Sequence, residues 1–190
     1  MFIYGIDVGK SNYHIALLND NELVKTFKIG INELETNFKP DAVGIDAPLS
    51  FPLRGTLREC ERKLIKKGVL LFPSGANFFK EIVKNGIKAA AFFKNLGSDV
   101  FEVYPYATRV ALNIVPQEKK RSRSGKLKII LQLKKYVRNI SEKLTHDEVD
   151  AIISALTVLL FYKGLAEFIR GIDGEILIPC TQRSHQVLEL

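Results

Sequence analysis

Two short apolar segments, "FIYGIDV" at residues 2–8 and "AVGIDAP" at residues 42–48, each carry one carboxylate among residues suited to a buried strand. Burying an isolated carboxylate costs several kcal/mol unless it is paired, hydrogen-bonded, protonated or bound to a metal. Side chains two apart on a strand share a face, so Gly5 lies beside Asp7 and Gly44 beside Asp46. Each glycine leaves room for something bulky to approach the sheet next to the acid. If the two strands are neighbours, their acids meet and a cation relieves the repulsion. The alternative is that each Asp ends its strand and caps a turn, which "DAPLS" permits. A third Gly-Ile-Asp, at residues 171–173, reads differently. Asp173 precedes Gly174 in a turn pair, and "AEFIR" before it reads as the end of a helix.

Around these segments the pattern is that of an α/β chain. "SNYHIALLND" and "NELVKTFKIG" follow the first strand across an Asn-Asp-Asn turn signal, which predicts a three-stranded antiparallel meander with edges near Gly9 and Gly30. "INELETNF" is a short helix candidate closed by Lys39-Pro40. "TLRECERKLIKKG" is an amphipathic helix with Gly68 as its C-cap, and a second helix spans about residues 76–96. "DVFEVYP" is a strand stopped by proline. A basic helix is expected over residues 127–140, and "LTHDEVDAIISALTVLLFYKG" is the clearest helix of the chain. The sum is a mixed sheet, a meander plus parallel strands, flanked by helices. At 190 residues the chain suits one core, and a single domain over residues 1–190 is expected.

The last helix adds two more acids. Thr145 and Glu148 fit a capping box, which places Asp147 in the first turn, where the helix dipole favours an acid. Capping does not account for Asp150, which lies further in and is followed almost entirely by apolar residues. Asp147 and Asp150 are three apart and share a helix face with Ala151 and Ser154, small residues that let the helix press on the sheet. Aimed at two strand acids, the pair completes a four-carboxylate cluster suited to Mg²⁺ or Mn²⁺. Glu102, in "FEVYP", is either a supporting metal ligand or an outward-facing strand residue. His146 stands beside the acid pair, His14 is expected to face solvent on a hairpin strand, and His185 lies in a polar tail.

Net charge is +7, which favours a polyanionic partner. Between residues 119 and 135 stand eight cationic residues and no acid, and Lys119, Lys120, Arg121, Arg123 and Lys126 form the Ser/Gly-spaced part. Such a run is often only a solvated face, but its density suits phosphate contacts. Lys10 beside the first acid is a further candidate. Without interleaved aromatics the run itself implies no base stacking. Two cysteines give no metal spacing or disulfide framework, the first residues lack the pattern of a signal peptide, and no apolar run reaches the roughly 20 residues of a membrane span. A cytoplasmic protein with no membrane partner is expected.

"GIDVGKS", "DAVGIDAP" and "HDEVDAIISAL" occupy, in order, the three places where the RNase H-like superfamily carries its metal-binding acids. The last resembles the RuvC-type Holliday-junction resolvases, whose final helix bears two acids as D-x-x-D-A. Over most of the chain, "IDAPLSFP", "RECERKL", "FEVYPYAT" and "DEVDAIISALTVLLFYKG" with "GIDGEILIP" resemble an uncharacterised family of predicted RNase H-like nucleases. One departure is Asp46, where the resolvases place a glutamate. The resemblance implies an RNase H-like fold and a divalent-metal-dependent nuclease that cleaves phosphodiester bonds by a two-metal mechanism. Asp7, Asp46, Asp147 and Asp150 would be its site, nucleic acid its partner, and a homodimer its state if it acts on junctions. Two other readings stand beside it. One is a non-catalytic nucleic-acid-binding module. The other is an actin- or sugar-kinase-like phosphotransferase, for which "DVGKSN" is a poor phosphate loop and the chain is too short for two lobes.

Overall fold

β1 (Phe2–Val8), β2 (Asn12–Asn19) and β3 (Glu22–Gly30) form the expected antiparallel meander in the computed structural model, which describes residues 1–35 and 38–180. β4 (Ala42–Asp46) pairs parallel to β1, and β5 (Asp99–Glu102) pairs parallel to β4. The strand order is β3-β2-β1-β4-β5. Helices α1 (Glu59–Lys66), α2 (Lys80–Asn95), α3 (Pro105–Ala111), α4 (Arg123–Leu133) and α5 (His146–Tyr162) flank this sheet, and β6 (Ala166–Gly171) and β7 (Gly174–Pro179) form a separate hairpin.

Both faces of the central strands are covered, which is why β1 and β4 are nearly continuous apolar runs. On one face Tyr4, Ile6, Val8, Val43 and Ile45 pack with Ala89, Ala90 and Phe93 of α2. On the other, Ile3 and Ala42 join a larger core dominated by α5. Every residue of α5 from Val149 to Leu160 is buried, the pattern of a helix enclosed on all sides. Each buried Leu, Ile or Val there contributes roughly 1.5–3 kcal/mol. The helix starts where the sequence places it. Thr145 accepts from the Glu148 N–H at 3.2 Å, and Glu148 accepts from the Thr145 N–H at 2.8 Å.

Several local expectations are corrected. "AEFIR" is the strand β6 and not a helix end; with β7 it forms a hairpin around the Asp173-Gly174 turn. The antiparallel pairing of Ala166–Gly171 with Gly174–Pro179 decides this, and the preceding Gly164 at φ +70° has already ended α5. The basic helix α4 starts at Arg123, capped by Ser122, and stops at Leu133, earlier at both ends than the expected residues 127–140. Helix α3, with Pro105 at its first turn, went unread in the sequence. Residues 31–35 are not helical, and residues 36 and 37 of the same candidate lie outside the described residues, as does His185. Among the described residues, no helix is long and apolar enough to cross a membrane.

Candidate metal centre

Asp7 and Asp46 end the two central parallel strands in register, Gly5 opposite Gly44 and Asp7 opposite Asp46. Helix α5 crosses the sheet above them. The glycines make that approach possible: a Cβ at Gly5 would lie 1.9 Å from the Ala151 carbonyl oxygen, and one at Gly44 would lie 2.6 Å from that of Ser154. Close packing there brings Asp150, only 3% exposed, over the strand ends. Carboxylate oxygens of Asp7, Asp46 and Asp150 lie within 4.8 Å of one another. Asp147, one turn earlier and part-exposed, sits at the rim with Asp7 and His14.

Crowded buried carboxylates hold protons tightly. Burial, then the charges of Asp150 and Asp147, push the Asp7 carboxyl up to about 7, while Lys120 and Asp46 pull it down. Burial, followed by the charges of Asp7 and Asp150, raises Asp46 well above the ordinary range. Asp150 is raised by burial too, although Lys120 pulls it back. The Lys120 ammonium reaches into the cluster and pairs with Asp150 Oδ2. Burial would lower its own pKa, but Asp150 outweighs this and raises it. Three converging carboxyls with raised pKa values and a single ammonium among them form a donor set that fits a hard divalent cation.

The structure places the other sequence candidates as follows. Lys10 is exposed in the β1–β2 turn, at the same end of the sheet as Asp7. Lys119 lines the cleft that leads to the acids, while Arg121 and Arg123 are exposed beyond it. Lys126 is turned away, its ammonium donating to the Leu144 carbonyl. Lys120 faces inward onto Asp150, not outward to solvent. Glu102 is the clearest departure from expectation. Arg58 holds it in a two-pronged ion pair, one prong at 2.8 Å, and its Oε2 also accepts from the Leu49 N–H at 2.8 Å. With Arg58 1% and Glu102 7% exposed, this carboxylate is engaged in a buried pair and is not outward-facing.

Three features were not legible in the sequence. His14 lies directly across the β1–β2 ladder from Asp7 and is only 17% exposed, so it does not face solvent. The hairpin register was the signal that would have found it. Arg58 and Glu61 form a buried network with Glu102 behind Asp46. Third, an aromatic wall of Phe72, Phe79, Tyr104 and Tyr106 lines the cleft beside the acids and Lys119. Phe72, Phe78 and Phe79 contact one another, with Phe72 65% and Phe78 59% exposed. Arg109 fixes the opposite lip, donating to the carbonyls of Ile114, Val115 and Glu118 and so holding the loop that delivers Lys119 and Lys120.

A 3-2-1-4-5 sheet with an antiparallel meander, acids at the ends of the two central parallel strands, and a helix bearing two further acids across them defines an RNase H-like fold. Within that class the chain is similar to RuvC of Thermus thermophilus. One structure is of that RuvC in complex with a Holliday junction substrate. It matches with a TM-score of 0.55 and 14% identity, over 86% of this chain and 97% of the other. A second structure of T. thermophilus RuvC matches with a TM-score of 0.52 and 15% identity over the same shares. The likeness expected from "HDEVDAIISAL" is thus shown at the level of the fold. No protein-family model and no curated protein matches the chain.

Proposed function

We propose that this protein is a divalent-metal-dependent nuclease that hydrolyses phosphodiester bonds in nucleic acid. The observation that carries the reading is the convergence of Asp7, Asp46 and Asp150 within 4.8 Å on the strand ends and helix of a RuvC-like fold, at the base of a cleft. Divalent ions held there, one or two as in a two-metal scheme, supply the Lewis acidity that activates water and offsets charge on the leaving oxygen. In this reading Asp7, Asp46 and Asp150 hold the cation and Asp147 completes the set from the rim. Lys120, paired with Asp150 at the acids, would face the substrate phosphate there. Lys119, Lys10, Arg121 and Arg123 supply the salt-dependent part of the affinity. No serine or cysteine nucleophile is required.

The aromatic wall narrows the substrate. Exposed Phe72 and half-buried Phe79 offer flat apolar faces beside the acids, and a base can stack on them only if it has left a continuous duplex. Single-stranded or branched nucleic acid is therefore the favoured class. The rival reading is a binding protein in which Lys120 neutralises the acids permanently, and the Lys120–Asp150 pair favours it. Cleavage of an end-labelled panel of single strand, duplex, hybrid, hairpin and four-way junction decides between them. The nuclease reading expects cutting with Mn²⁺ or Mg²⁺, none with EDTA, and none in Asp46→Asn or Asp150→Asn. Binding without cutting, unchanged in both variants, would leave the rival.

A further inference from the structure

His14 stands among carboxylates of β1 and α5. Its partner across the β1–β2 ladder is Asp7, so both side chains point to the face that α5 covers. Its Nδ1 stands 3.7 Å from Asp7 Oδ2 and 3.9 Å from Asp147 Oδ2, beyond hydrogen-bond reach of either. That nitrogen is sealed from solvent and has no hydrogen-bond partner among the described residues. A buried imidazole nitrogen left this way forfeits the hydration it had in the unfolded chain. The spacing suits a shared ion. Donor atoms on an octahedral cation at roughly 2.1 Å are about 3.0 Å apart when adjacent and about 4.2 Å apart when opposite. The separations of 3.7 and 3.9 Å exceed the adjacent spacing by less than about 1 Å, so a small closing of the side chains puts both carboxylates next to His14 on one ion.

Asp7 therefore belongs to two donor groups, Asp7–Asp46–Asp150 and Asp7–His14–Asp147. The first offers oxygen alone, and the second adds nitrogen. We propose that His14 is a direct ligand of a second cation, making two unequal subsites that share Asp7. The oxygen-only subsite accepts Mg²⁺ or Mn²⁺ alike, and the mixed subsite selects Mn²⁺ over Mg²⁺, because imidazole favours the transition-metal ion. This assignment rests on the reading of the site as a metal centre and is independent of whether the protein cuts nucleic acid.

The experiment is a Mn²⁺ titration of the metal-free full-length chain, followed by pulsed electron paramagnetic resonance for nitrogen bound directly to the metal. Two Mn²⁺ per chain are expected, with a ligated-nitrogen coupling that excess Mg²⁺ does not remove. His14→Ala should abolish the coupling and weaken the second Mn²⁺ about tenfold or more. The chain has three histidines, so the double variant His146→Ala/His185→Ala leaves His14 as the sole imidazole. That variant should keep the coupling, and it answers the question even if His14→Ala fails to fold. Absence of coupling in the wild type, its survival in His14→Ala, or its loss in the double variant would each overturn the assignment. Nitrogen coupling without cleavage would sink the nuclease reading and leave His14 in place; metal-dependent cleavage without coupling would do the reverse.

Discussion

A Cβ on Gly5 would lie 1.9 Å from the carbonyl oxygen of Ala151, so the backbone of α5 rests directly on β1. Gly5→Ala must push the helix away, and Asp150 with it. We expect a loss of about 1–3 kcal/mol from overpacking, read as a lower urea midpoint, with weaker Mn²⁺ binding in the fraction that folds. Unchanged metal affinity would mean that helix and strand acids are not one site.

Protons and metal compete for the cluster, and the sign follows from the raised pKa of Asp7. Below its ordinary value of 3.8 the carboxyl is protonated in both folded and unfolded chains, and its contribution to stability is fully present. Between 3.8 and about 7 the folded protein keeps a proton that the unfolded chain has released, so stability falls as pH rises through this window. The metal-free protein should therefore unfold more easily at about pH 8 than at about pH 5. Asp7→Asn should flatten the difference, by up to roughly 1.4 kcal/mol per pH unit for one group. Saturating Mn²⁺ should restore stability at the higher pH. Unfolding scans with EDTA and with Mn²⁺ at both pH values check this.

Lys120 occupies charge space that a cation needs. Its side chain is 39% exposed and that of Asp150 only 4%, so solvent screens one partner and the pair is worth more than the about 1 kcal/mol of a surface ion pair. Lys120→Met should tighten Mn²⁺ binding up to about fivefold by calorimetry and weaken nucleic-acid binding at low salt. Weaker metal binding in this variant would show that the lysine supports the site and does not compete for it.

Arg58 and Glu102 test the boundary of the centre. Arg58→Met leaves Glu61 and Glu102 buried without their cation and should cost about 3–5 kcal/mol in urea unfolding. Glu102→Gln should also destabilise the fold, yet bind Mn²⁺ within about twofold of wild type. A tenfold loss of metal affinity in Glu102→Gln would return this residue to the ligand set.

Phe72 is 65% exposed and packs edge-on to Phe78, so Phe72→Ala should change stability by no more than about 0.5 kcal/mol. Stacking of one base is worth about 1–3 kcal/mol, and single-strand affinity should fall at least about fivefold while duplex affinity holds. Equal losses on both substrates would remove base stacking from the cleft.

Much of this architecture is written locally. The nearly continuous apolar runs with one acid each, the Thr145–Glu148 capping box, and the glycines two residues before Asp7 and Asp46 depend on neighbours in sequence, so the meander, the buried last helix and the candidate acids on strand and helix could be read from residues alone. "AEFIR" could not, because five residues without a clear period also suit the end of a helix until pairing with β7 makes them a strand. Pairing across the fold was equally invisible. Glu102 looks like any strand acid until Arg58, 44 residues earlier, closes on it. His14 becomes a candidate ligand only when the hairpin register sets it opposite Asp7. The exposed phenylalanines gain meaning only from standing beside the acids. Sequence by itself determined which segments are apolar and which positions carry charge. Tertiary structure alone decided which charge each carboxylate meets, because electrostatic energy depends on separation in space and not along the chain.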